Sequence, residues 1–149
     1  SFAIEADLET DGSNTNGVIV AQGGYFGGWS FYIRDGKPVF AYNYLGKEIY
    51  KTTGTRVVPT GSTGVKITFD YAGGSTSGKP VLGAGGKVSL FIDGVLAGTG
   101  TVPVTQPVIF SADETANVGI DRETMVSDDY TYESSKFVGR IDKVVITLP

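Results

Sequence analysis

Three acidic residues stand at alternate positions near the start of the chain, Glu5, Asp7 and Glu9 in "EADLE". Alternation places all three on one face of an extended strand. Two carboxyls about 5–5.5 Å apart could carry out retaining glycoside hydrolysis, one as nucleophile and the other as acid/base. Cα atoms four residues apart on a strand are separated by about 13 Å, so Glu5 and Glu9 would have to converge at their tips. The alternative is an exposed acidic face on an outer strand, where charge discourages edge-to-edge pairing.

A second acidic group lies in "SADETANVGIDRETMVSDDY". Residues 113–133 hold seven acids and the single base Arg122, a local charge of −6 in a chain whose total is −4. Calcium takes about six to eight oxygen ligands, carboxylates and backbone carbonyls among them. Asp113, Glu114, Asp121, Asp128 and Asp129 could supply several if two loops converge, giving a structural calcium site. The Asp-x-Asp-x-Asp-Gly core of an EF-hand is missing. The alternative is local: Asp113 and Asp121 brace turns through Asx-type bonds while the other acids are solvated.

The third candidate is the loop Gln22, Gly23, Gly24, Tyr25, Phe26, Gly27, Gly28, Trp29, which ends on the chain's single tryptophan. Glycine permits positive φ and close backbone approach. Consecutive loop amides can form an anion-binding nest, but no helix follows, so this is no phosphate fingerprint. The glycines either turn a corner between two strands while Trp29 plugs the core, or offer Tyr25 and Phe26 to a partner. The two readings are compatible.

Composition narrows the chemistry. Histidine and cysteine are both absent from the 149 residues. That excludes Ser-His-Asp hydrolysis, thiol nucleophiles, iron–sulfur clusters and zinc ribbons. The acidic balance argues against a nucleic-acid partner. No apolar run approaches the length of about 20 residues that a membrane-spanning helix needs, so no membrane partner is expected. The length suits one domain over 1–149, large enough to fold without disulfides or metal. The chain starts directly on a strand-like pattern without methionine or signal segment, as a piece of a longer polypeptide or a mature chain would.

The elements that must position these groups are strands. With 22 glycines and many β-branched and aromatic residues, the sequence alternates with period two and shows no convincing helical period. Strands are expected at 2–9, 17–22, 28–34, 37–45, 47–53, 65–72, 87–93, 95–102, 107–111, 116–121 and 136–148, a sandwich or barrel. Asp35-Gly36 and Asp93-Gly94 each predict a two-residue type I′ hairpin loop. The first sets Arg34 opposite Lys37, Phe31 opposite Phe40 and Trp29 opposite Tyr42. Trp29, Phe31, Ile33, Phe40, Tyr42 and Tyr44 then form a core face; Ser30, Tyr32, Arg34, Val39, Ala41 and Asn43 form the other. The second pairs Phe91 with Leu96 and Leu90 with Ala97, and places Val95 and Ala97 with Val88, Leu90 and Ile92. Residues 73–86 read as a mobile glycine-rich loop. A phase change in "FVGRIDKVVITL" predicts a bulge near Asp142-Lys143, and the first and last strands are expected to be neighbours.

Two resemblances follow from these residues. The Glu-x-Asp-x-Glu spacing is similar to the catalytic strand of laminarinase-type retaining glucanases, although no tryptophan-rich sugar cleft accompanies it. More extensively, "GVIVAQGGYFGGWSFYIRDGKPVFAYNYLG" (17–46), "FSADETANVGIDRETMVSDDY" (110–130) and "FVGRIDKVVI" (137–146) resemble, in order, the C-terminal region of large bacterial arylsulfatases. That resemblance implies a concanavalin A-like, laminin-G-like jelly roll following an alkaline-phosphatase-like catalytic domain. It leans toward a bacterial periplasmic or exterior setting. Sulfatases need a Cys or Ser converted to formylglycine within Cys/Ser-x-Pro/Ala-x-Arg. The nearest match here, Ser1-Phe2-Ala3, has Glu5 where Arg belongs. The resemblance therefore implies a non-catalytic accessory domain that needs no cofactor and packs on the upstream sulfatase domain. Gln22–Trp29 would form part of that contact, with Tyr32, Arg34 and Asn43 contributing. The competing expectation is a lectin-like module that uses exposed tyrosines to hold sulfated glycans.

Overall fold

The computed structural model describes residues 1–80, 82–106 and 116–149. In chain order the elements are β1 (Phe2–Asp11), a 3-10 turn (Gly12–Asn14), β2 (Gly17–Gly24), β3 (Gly27–Arg34), β4 (Lys37–Tyr44) and β5 (Glu48–Thr53). They continue with β6 (Thr60–Tyr71), β7 (Ser75–Thr76), β8 (Lys79–Pro80), β9 (Ala84–Ile92), β10 (Val95–Val104), β11 (Ala116–Val118), α1 (Tyr132–Ser135) and β12 (Arg140–Thr147). The expected strand at 107–111 lies outside the described residues. The glycine-rich stretch carries the short β7–β8 hairpin. The one turn of α1 is closed by a capping box, in which Thr131 and Ser134 bond each other's backbone amides.

Among the described residues, two five-stranded antiparallel sheets stack face to face, ordered β10-β9-β6-β1-β12 and β11-β2-β3-β4-β5. This is an all-β, two-sheet antiparallel sandwich. Alternation explains the core. Ile4, Ala6 and Leu8 of β1, Val65, Ile67 and Phe69 of β6, and Val88, Leu90 and Ile92 of β9 point inward. They meet Trp29, Phe31, Ile33, Phe40 and Tyr42 from the other sheet. Trp29 stacks with Phe2 at 5.7 Å and with Phe40 at 6.2 Å between ring centroids, separations at which aromatic pairs add to burial.

Both Asp-Gly loops adopt the positive φ that a type I′ turn demands, at Asp35 and Gly36 and again at Asp93 and Gly94. The first hairpin has the expected register, Arg34↔Lys37, Phe31↔Phe40 and Trp29↔Tyr42. The second departs from expectation after one pair. Phe91 faces Leu96, but Leu90 faces Gly98, because Ala97 is bulged out of the ladder. The bulge turns the Ala97 carbonyl toward Thr55, whose amide and hydroxyl donate to it at 2.7 and 2.9 Å. Val95, expected on one face with Val88, Leu90 and Ile92, is exposed at the turn.

β12 pairs with β1, and Asp142 is the bulged residue between Asp7↔Lys143 and Leu8↔Ile141, as the phase change requires. One expectation is corrected. β1 is not an outer strand; it is flanked by β6 and β12, because the terminal strand adds outside it. Glu5, Asp7 and Glu9 therefore protect no sheet edge.

Candidate functional site

The residues of the glycine loop divide into two groups. Gly23 and Gly24 end β2, Gly27 and Gly28 begin β3, and they pair as Gly23↔Gly28 and Gly24↔Gly27. A Cβ on Gly28 would lie 2.3 Å from the Gln22 carbonyl oxygen, and one on Gly23 would lie 2.3 Å from that of Gly27. These glycines thus serve the hairpin's own close approach, not that of a foreign backbone. Trp29 is a core residue. Of the eight residues, Gln22, Tyr25 and Phe26 are exposed.

Tyr25 and Phe26 form the two-residue tip of the β2–β3 hairpin, with side chains 49% and 66% exposed in turn. Their rings meet edge to face at 5.3 Å. The tip is anchored from two sides. The Tyr25 amide donates to Thr124 Oγ1 at 2.9 Å, and the Tyr25 ring lies over Gly46 in the β4–β5 turn, where a Cβ would be 3.3 Å from Cε1. An open groove of about 470 Å³ runs from these two rings across Ile49, Met125 and Tyr130, with Thr124, Ser127 and Asp128 at its polar side.

The wall of that groove is a strap, residues 120–131, lying over the outer face of β2, β3 and β4. This is why the second face of the first hairpin is buried. Val18, Ala21, Tyr32, Val39 and Ala41 form a small cluster there, packed against Ile49 and Tyr130. Tyr32 and Tyr130 meet edge to face at 5.1 Å. Asn43 Nδ2 donates to the Val126 carbonyl at 3.0 Å. Tyr32, Arg34 and Asn43, expected to contribute to an interdomain contact, thus bind the chain's own strap.

Two aspartates fasten it. Asp121 is fully buried; its Oδ2 accepts from the Val126 amide at 2.9 Å and from the Tyr130 hydroxyl at 2.6 Å. Tyr130 Oη is also 2.9 Å from Ser30 Oγ. Asp129 accepts from the Tyr32 hydroxyl, from Arg34 at 2.7 Å and from Lys51 Nζ at 2.9 Å, and Lys51 also pairs with Asp128. Burial opposes ionisation of Asp129, but the Tyr32 and Lys51 hydrogen bonds and the Lys51 and Arg34 charges prevail and hold its carboxyl below its ordinary range. Burial, then the neighbouring carboxylates, push the Tyr32 and Tyr130 hydroxyls well above theirs.

Of the five acids expected at calcium, Asp113 and Glu114 lie outside the described residues. Asp121, Asp128 and Asp129 are engaged as above, and among the described residues no group of three or more acidic side chains is gathered as a metal would need. The first candidate, Glu5, Asp7 and Glu9, occupies an open sheet face. Glu5 pairs with Lys66 at 3.0 Å and Glu9 with Arg140 at 3.8 Å. Sequence reasoning does not find the strap; its signal is the apolar pair Val39 and Ala41 on the face opposite the aromatic core face.

No protein-family model matches the sequence, and no curated protein matches it. Among solved structures the chain is similar to the native heptameric SAP-like pentraxin of Limulus polyphemus, at 11% identity and a TM-score of 0.54. The similarity covers 97% of this chain and 62% of that one. At this identity the likeness shows the fold alone: the chain is a jelly-roll β-sandwich.

Proposed function

We propose that this chain is the non-catalytic C-terminal accessory sandwich of an arylsulfatase, packing on and supporting an upstream catalytic domain of the same polypeptide. The observation that carries the proposal is the anchored, exposed pair Tyr25 and Phe26 beside an apolar groove. Adjacent exposed aromatics at the edge of an apolar concavity are features of contact surfaces, where such side chains supply most of the binding energy. Anchoring by Thr124 and Gly46 lowers the entropy lost when the tip docks. The ordered resemblance over 17–46, 110–130 and 137–146 supports an arylsulfatase domain as the partner, and the formylglycine motif would belong to that domain.

The test is Phe26→Ser in the complete enzyme. Docking through the tip requires lower thermal stability and lower sulfate-ester turnover; unchanged values for both would count against it. The 149-residue chain alone should leave an aryl sulfate intact.

A further inference from the structure

The two sheets meet differently on their two flanks. On one, β10 lies against β5, so close that a Cβ on Gly100 would be 2.1 Å from Thr52 Oγ1 and one on Gly98 would be 3.0 Å from the Thr53 carbonyl oxygen. The strand orders then put β12 and β11 together on the opposite flank. There the apolar residues of β12 stay exposed. Ile146 pairs with Ile4, a fully buried core residue, and shares its inward face, yet Ile146 is 46% exposed. Val145, on the outward face, is 40% exposed, and Leu148, just beyond the strand, 71%. Val118 of β11 is exposed as well.

The other sheet edges are protected. Thr55 and Arg56 bond the Val95, Leu96 and Ala97 carbonyls at the start of β10, and Pro103 stands near its end. β11 is three residues long. β5 carries the charges of Glu48 and Lys51. Capping, proline, short length and charge all discourage a further strand from pairing. In β12 the bulge and the charges of Arg140, Asp142 and Lys143 are confined to the first half. Residues 144–148 read Val-Val-Ile-Thr-Leu, with no charge and no proline. Among the described residues nothing pairs with their free side.

We propose that this edge joins a second copy of the chain, β12 antiparallel to β12, so that two five-stranded sheets become one continuous sheet. The strand's own charges select that occupant. A two-fold axis at Val145 sets Val145 opposite Val145, Val144 opposite Ile146 and Lys143 opposite Thr147. β-branched residues then face each other across the seam, pairs that stabilise a sheet, and no like charges are opposed. Asp142 stays with Arg140 of its own chain, whose Nε donates to it at 2.6 Å. An axis at Lys143 or Asp142 would put like charges directly opposite each other. The strand is thus complementary to itself about Val145, as a closed two-fold interface requires. Val144 and Ile146 of the second copy cover the inward side that one chain leaves open. The edge belongs to the sheet that does not carry Tyr25 and Phe26, so the pairing is independent of the docking proposal.

Sedimentation equilibrium of the 149-residue chain tests it. The parent should have twice the 15.7 kDa mass of one chain. Val145→Lys opposes two lysines at the axis and should raise the dimer dissociation constant at least tenfold. Within its own chain that lysine would face Glu5, so the fold should be kept. Thr147→Lys and Thr147→Glu separate this pairing from any other. The first sets lysine opposite Lys143 of the second copy and should weaken the dimer severalfold; the second sets glutamate there and should tighten it severalfold. Thr147 is exposed and faces Ala3 in its own chain, so neither change disturbs an internal charge. Circular dichroism reports that each variant is folded, and Phe26→Ser should dimerise like the parent. A monomeric parent, a parent that only aggregates, a dimer indifferent to Val145→Lys, or equal effects of the two Thr147 variants would overturn the proposal.

Discussion

The hydroxyl of Tyr32, in the middle of β3, donates to the carboxylate of Asp129, 97 residues further along the chain. That contact, together with Arg34 and Lys51 on the same carboxylate, fastens the strap to the outer face of the second sheet. Through Thr124 the strap also holds the Tyr25 tip. The shape of the proposed docking surface therefore depends on an ion-paired aspartate of the strap that does not itself line the groove.

Asp129→Asn should loosen the strap. Hydrogen bonds to a charged group contribute about 1.5–3 kcal/mol, and an amide retains part of that. A loss of about 1–2 kcal/mol in urea-induced unfolding is expected, with increased hydrogen exchange at the Val126 amide.

Acid should do the same to the parent chain. The folded-state pKa of Asp129 is depressed, so its contribution is present above the unfolded value of about 4 and is lost as pH falls through the folded value. Tyr32 and Tyr130 act in the opposite direction. Their folded pKa values are raised, so their contribution is present below the unfolded value of about 10 and is lost as pH rises beyond it. Urea titrations at a series of pH values should show both flanks, and Asp129→Asn should flatten the acid one.

The glycine pairs should be intolerant for a reason internal to the hairpin. Gly28→Ala puts a methyl group 2.3 Å from the Gln22 carbonyl oxygen, and overpacking of this kind costs about 1–3 kcal/mol. At Gly74 a methyl group would meet nothing within 4 Å, so alanine should be accepted there without loss. Thermal unfolding of the two variants makes the comparison.

Core and surface hydrophobes should separate as cleanly. Phe31 is fully buried between the sheets, whereas Val95 is 59% exposed. Phe31→Ala should cost about 3–5 kcal/mol, and Val95→Ala no more than about 0.5 kcal/mol. Equal costs would contradict the two-layer core.

What could be read from the sequence was local. The Asp35-Gly36 turn fixes its hairpin register because both turn residues need positive φ, and every pair up to Trp29↔Tyr42 follows by counting. The same count fails at Ala97, since the bulge answers to Thr55, which is distant in sequence. The pairing of β1 with the last strand was expected, but its interior place was hidden because its other partner, β6, comes from the middle of the chain. In the site, Tyr25 and Phe26 stand out by being aromatic between glycines. The strap has no such signature. Asp121, Asp128 and Asp129 read as a cation-binding group until Tyr32, Lys51 and Tyr130 supply the donors.

The role of the tip is tested most directly by the change in Tm caused by Phe26→Ser, measured once in the 149-residue chain and once in the complete enzyme proposed above. Phe26 is 66% exposed in the chain alone, so the variant should unfold there within a degree or two of the parent and lose several degrees in the complete enzyme. Equal shifts in the two settings would contradict docking through the tip.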